Sequence, residues 1–129
     1  MPDFRIKQHQ ILPIPERQKI EFFWEGQAYP AYAGETISAA LFANGFRVFG
    51  HHVKDNAPQG IFCANGQCSQ CMVLANGKPI KSCMELVSAG MNVLPSEGLP
   101  VLPKVKQAPS TKQIQEIKIP VLIIGGGPA

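Results

Sequence analysis

Four cysteines, Cys63, Cys68, Cys71 and Cys83, follow one another with the spacing C-x4-C-x2-C-x11-C, and nothing else in the chain restricts its fold as strongly. Cores do not gather four thiols in a glycine-rich loop and hairpin by chance, so free core cysteines explain the pattern poorly. The N-terminal sequence lacks the uninterrupted apolar stretch followed by small residues of a secretory signal. A cytoplasmic, reducing setting is therefore expected, with any membrane association made through partners. In that setting clustered thiols hold a metal or a cluster rather than two disulfides.

A [2Fe–2S] cluster needs four thiolates converging on two irons, and C-x4-C-x2-C is the plant-type opening in which one tight loop supplies three of them. Small residues make such a loop possible. Gly60 and Gly66 permit positive φ and close backbone approach, and amides of the loop can donate to cluster sulfurs. A structural zinc site remains as the alternative, giving a zinc-stabilised interaction domain. Such sites usually use two short knuckles, and here only Cys68-x2-Cys71 qualifies. His9, His51 and His52 invite a Rieske assignment, but four cysteines already saturate a cluster, so His51 and His52 read as surface residues approaching the loop. Met72, Met84 and Met91 read as adaptable core fillers.

The fourth ligand is placed by a turn. Asn76-Gly77 is a strong hairpin signal, and it predicts antiparallel strands over residues 71–75 and 79–83. Cys71 then opens one strand and Cys83 closes the other, so folding the turn brings the two thiols to one level.

Twelve glycines and twelve prolines in 129 residues imply many turns and exclude a helical bundle. Residues 1–16 read as an extended N-terminal arm. Strands are predicted over residues 19–24 and 27–33, joined at Glu25-Gly26, followed by a short helix between Thr36 as N-cap and Asn44-Gly45 as stop. Residues 46–49 can form a short strand, residues 51–70 an irregular binding stretch, and residues 91–94 a further strand. From Pro95 the chain reads as a linker, residues 96–118 in the domain division, because prolines recur through it. The cluster-bearing unit is expected over residues 17–95. A net charge of +3 spread along the chain gives no nucleic-acid surface, and no apolar run is long enough for a transmembrane helix.

Gly34-Glu35-Thr36 with its helix, Gly60-Ile61-Phe62-Cys63, Gly66-Gln67-Cys68-Ser69-Gln70-Cys71, Asn76-Gly77, Cys83 and Gly90-Met91 occur in a recognisable order. Over about residues 17–95 the chain resembles the [2Fe–2S] ferredoxin-like domain at the start of the α subunits of sarcosine oxidase-like, proline dehydrogenase-like and opine oxidase-like enzymes. It is also similar to the small cluster subunit of hydrogen cyanide synthase. The resemblance implies an α+β fold of the β-grasp type: a mixed sheet, one main short helix and a cluster-binding loop. It also implies an electron-transfer part of an oxidoreductase, in a hetero-oligomer with flavoprotein subunits that oxidise an amino acid or amine. A purely structural cap on a flavoenzyme is the other role open to it.

The apolar residues 119–124 run into Gly125-Gly126-Gly127-Pro128-Ala129, which is how a Rossmann unit begins. Gly125 and Gly127 fit the first two glycines of G-x-G-x-x-G. The helix whose N-terminus holds a pyrophosphate is not in this sequence. FAD is therefore expected only in a longer or partner chain.

Overall fold

A computed structural model describes residues 3–99, 110 and 116–125. Local sequence chemistry builds its first half. β1 (Lys19–Trp24) and β2 (Gln27–Tyr32) pair antiparallel across a two-residue turn. Glu25 and Gly26 both take positive φ there, the twist that suits a tight hairpin. Alternation along β1 sends Phe22 and Trp24 inward, to meet Tyr29 and Ala31 of β2.

Helix α1 (Ile37–Ala43) starts where Thr36 Oγ1 accepts the Ala39 N–H at 3.2 Å. Asn44 ends it, donating through Nδ2 to the carbonyls of Ala40 and Pro30, and Gly45 follows at φ +95°. Ile37, Ala40 and Leu41 face the sheet at helical spacing and are fully buried.

The second half depends on long-range pairing. β3 (Gly50–His51) and β4 (Pro58–Gln59) make a minimal antiparallel pair, and β5 (Met72–Ala75) and β6 (Lys78–Lys81) form the Asn76-Gly77 hairpin. β7 (Asn92–Glu97) is the central strand. It pairs parallel with β1 and then with β3, and antiparallel with β5. The result is a mixed seven-stranded sheet over one short helix, an α+β fold of the β-grasp kind.

Several expectations need correction. Residues 46–49 form no strand: the Phe46 N–H is still held by the Leu41 carbonyl at the end of α1, Phe46 and Phe49 pack on Trp24, and Phe49 bonds to the Gln59 and Ser96 backbone just ahead of β3. The irregular stretch after His51 is interrupted by β4. The last strand does not stop at residue 94 but continues through Pro95, Ser96 and Glu97. Pro95, which has no N–H, falls between the two parallel pairings, where neither β1 nor β3 needs a donor.

The N-terminal arm has no regular structure but is docked. The Phe4 N–H donates to the Ala43 carbonyl, and Arg5 grips Glu35 through Nε at 2.7 Å and Nη2 at 2.9 Å. Residues 119–125 pair with no strand, and Val121, Leu122, Ile123 and Ile124 are exposed. Gly125 has φ +94°, while Gly127 and most of the proposed linker lie outside the described residues. Among the described residues no helix is long and apolar enough to cross a membrane.

Candidate metal centre

The loop between β4 and β5 is entered at Gly60, where a side chain is impossible for steric reasons. A Cβ there would lie 2.1 Å from the Arg47 carbonyl oxygen. The glycine is required by this close approach and not by a positive φ, one of the two reasons sequence allowed. Beyond it the backbone turns left-handed at Ala64 (φ +54°), Gly66 (φ +81°) and Ser69 (φ +57°). Such alternation points successive amides into one concavity, the geometry of an anion nest. Non-glycine residues in the left-handed region carry strain, and Ala64 and Ser69 carry it between candidate ligands.

The sulfurs receive those amides. Cys63 Sγ accepts from the Cys68 N–H at 3.4 Å, and Cys68 Sγ from the Gln70 N–H at 3.5 Å. Hydrogen bonds from the Asn65 amide, then from the Cys68 amide and thiol, pull the Cys63 thiol down to about 6. A thiolate is the form that binds a metal, so Cys63 has the chemistry of a candidate ligand.

Cys71 and Cys83 lie deeper. The Ser82 N–H donates to the Cys71 carbonyl at 3.0 Å, one step beyond the β5–β6 ladder, which sets Cys83 beside Cys71. Burial and then the neighbouring Cys71 thiol push Cys83 up, while the Gly66 amide acts in the opposite direction. The four thiols thus form two neighbouring pairs, Cys63 with Cys68 and Cys71 with Cys83, and Cys63 lies within electrostatic reach of Cys83. All four are free of disulfides.

Among the described residues, no three Cys, His, Asp or Glu side chains converge tightly enough to share one metal ion. A binuclear centre, in which each iron takes two protein ligands, asks for pairs of thiols and not for one closed shell around a single ion. The donor set fits a [2Fe–2S] cluster on three counts: four soft sulfurs, amides already aimed at two of them, and a buried inner pair.

Residues 17–98 match the family described as 2Fe-2S iron-sulfur cluster binding domain. The chain belongs to this family. A [2Fe–2S] cluster is accordingly its cofactor. The chain is 27% identical over 113 residues to the α subunit of sarcosine oxidase from Corynebacterium sp. (strain U-96), covering 81% of this chain and 12% of that protein. Its fold is similar to that in the crystal structure of L-proline dehydrogenase from P. horikoshii, with a TM-score of 0.59 and 21% identity over 70% of this chain and 18% of that one. The chain therefore spans well under a quarter of the length of either relative.

The histidines are occupied elsewhere. His51 Nδ1 lies 3.2 Å from Glu97 Oε1, His52 Nδ1 lies 2.6 Å from Asp55 Oδ1, and His9 Nδ1 accepts from the Ile11 and Leu12 amides. Met84 is not a core filler: it is exposed, and its thioether lies over Gly66. Met91 is buried in the core. Sequence reasoning missed Lys81, whose Nζ donates to the Gly66 carbonyl. Nothing in its local pattern marks it, since it reads only as a polar residue at the end of a strand.

Proposed function

We propose that Cys63, Cys68, Cys71 and Cys83 hold the cluster, one iron on each neighbouring pair, and that the domain is the electron-transfer module of a multi-subunit flavin-dependent amine or amino-acid dehydrogenase or oxidase. Bound in this way, the cluster supplies one-electron transfer. The protein sets its potential and its distance from the next redox centre, through loop amides, burial and docking. The observation that carries the reading is the two-by-two arrangement of thiols under loop amides.

The surroundings support a docked partner. Residues 56–77 contain no charged side chain, and Phe62, next to Cys63, is 82% exposed. Interface centres are depleted in charge and enriched in aromatic residues. The similarity to sarcosine oxidase α subunit and to proline dehydrogenase supports a flavoprotein as that partner, with sarcosine, proline, an opine or glycine as the class of substrate. Residues 17–95 would then be the working module in a reducing compartment, and residues 119–129, including Gly125 and Gly127, the first strand and turn of a nucleotide-binding unit reached through the 96–118 linker.

Reduction of the cluster-loaded chain with dithionite tests the reading by electron paramagnetic resonance. A rhombic signal that disappears when the oxidised flavoprotein partner is added is expected. A stable signal with no electron exchange would leave the domain a structural cap and overturn the electron-transfer role.

A further inference from the structure

Three thiols ride on an irregular loop, the fourth on the turn after β6, and the β5–β6 ladder with the Ser82–Cys71 bond beyond it ties Cys71 to Cys83. Cys63 and Cys68 need something else to hold them over the inner pair. Gly66 lies between them, and the segment bearing Cys83 grips it from several sides. Lys81 Nζ donates to its carbonyl oxygen. The Met84 side chain covers its Cα so closely that a Cβ would lie 2.9 Å from Cγ and 3.0 Å from Sδ.

We propose that Lys81 is a positioning residue of the cluster, clasping the loop of Cys63 and Cys68 onto the Cys83 segment and setting a positive charge beside the centre that favours its reduced form. The inference rests on the four-cysteine ligand assignment. It follows from placement and charge. Lys81 is half-buried, and among the described residues no carboxylate forms an ion pair with it. A cluster on four thiolates is already anionic and gains one more negative charge on reduction, so an uncompensated ammonium nearby stabilises the reduced state more than the oxidised one. A lysine tied to a backbone carbonyl also keeps that charge in one place, as a freely solvated side chain does not.

The test compares the cluster-loaded chain carrying Lys81→Met or Lys81→Arg with the parent. One readout is the midpoint potential, from a redox titration followed by electron paramagnetic resonance. The other is bleaching of the visible absorbance under a chelator. Lys81→Met is expected to move the potential to more negative values and to speed bleaching about tenfold, the loss of one charge-assisted hydrogen bond. Lys81→Arg is expected to restore both. Melting of the cluster-free variants separates loss of the clasp from loss of the fold. An unchanged potential in Lys81→Met overturns the proposal whatever the bleaching rate, and so does a Lys81→Arg variant as impaired as Lys81→Met. A parent chain that takes up no iron refutes the ligand assignment instead, a result distinct from either.

Discussion

Substituting Gly60 by Ala gives a perturbation whose size follows from one distance. The added Cβ would sit 2.1 Å from the Arg47 carbonyl oxygen and 3.3 Å from its carbon. Real Cβ–oxygen contacts fall no closer than about 3 Å, so one backbone must move by roughly 1 Å. Neither can do so freely, because the Gln59 carbonyl accepts the Phe49 N–H at 2.7 Å and the Phe49 carbonyl accepts the Ser96 N–H at 3.0 Å. Overpacking of this kind costs about 3 kcal/mol. At roughly 4–8 °C per kcal/mol for a domain of this size, the melting temperature should fall by about 12–24 °C.

Gly34→Ala is the matched control. It carries φ +88° with nothing within 4 Å of the added atom, so only left-handed strain of about 1 kcal/mol applies. Thermal unfolding of both cluster-free variants, followed by circular dichroism, measures the difference. A Gly60→Ala protein as stable as Gly34→Ala would refute the claim that close approach, rather than backbone conformation, demands this glycine. The variant should also load less iron, since the loop leading to Cys63 starts there.

Three further outcomes are expected. In the cluster-free protein, alkylation by iodoacetamide mapped by mass spectrometry should label Cys63 first, with a rate that is half-maximal at about pH 6, and well ahead of the buried Cys83; equal rates would contradict the amide-stabilised thiolate. Burial alone would raise the Glu35 carboxyl, but its hydrogen bonds to Arg5 and to the Tyr32 N–H outweigh that and hold it below the ordinary glutamate range. A group lowered in the folded state adds stability that is present above its unfolded pKa and lost as pH falls through the folded one. Glu35→Gln should therefore cost about 1–2 kcal/mol near neutrality and remove this acid-dependent step from the stability profile. Thr36→Ala should cost about 1 kcal/mol in denaturant titrations, through loss of the N-cap bond to Ala39; no change would mean that packing alone holds α1.

Elements specified by neighbours in sequence were legible in it. The Glu25-Gly26 and Asn76-Gly77 turns fix hairpins through their own φ values, and Thr36 with Asn44-Gly45 bounds the helix by local capping. The cysteine spacing carried the cofactor because coordination chemistry limits which spacings close on a cluster. What escaped was set by contacts between distant segments. The central place of β7 depends on parallel pairing with β1 and β3, which no local pattern encodes, and its Pro95 reads as the start of a linker only while that pairing is unseen. The docking of Arg5 on Glu35, the approach of Gly60 to Arg47 and the hold of Lys81 on Gly66 are likewise meetings of segments that sequence leaves unrelated. The division of the four thiols into two pairs belongs to the same class.

The central claim is that these four cysteines hold one [2Fe–2S] cluster, and counting iron and acid-labile sulfide per chain in the parent and in Cys83→Ala tests it most directly. The parent should carry about two irons and two sulfides, Cys83→Ala should lose most of both, and His51→Ala should retain them. Zinc without iron or sulfide in the parent, or an undiminished count in Cys83→Ala, would contradict the account.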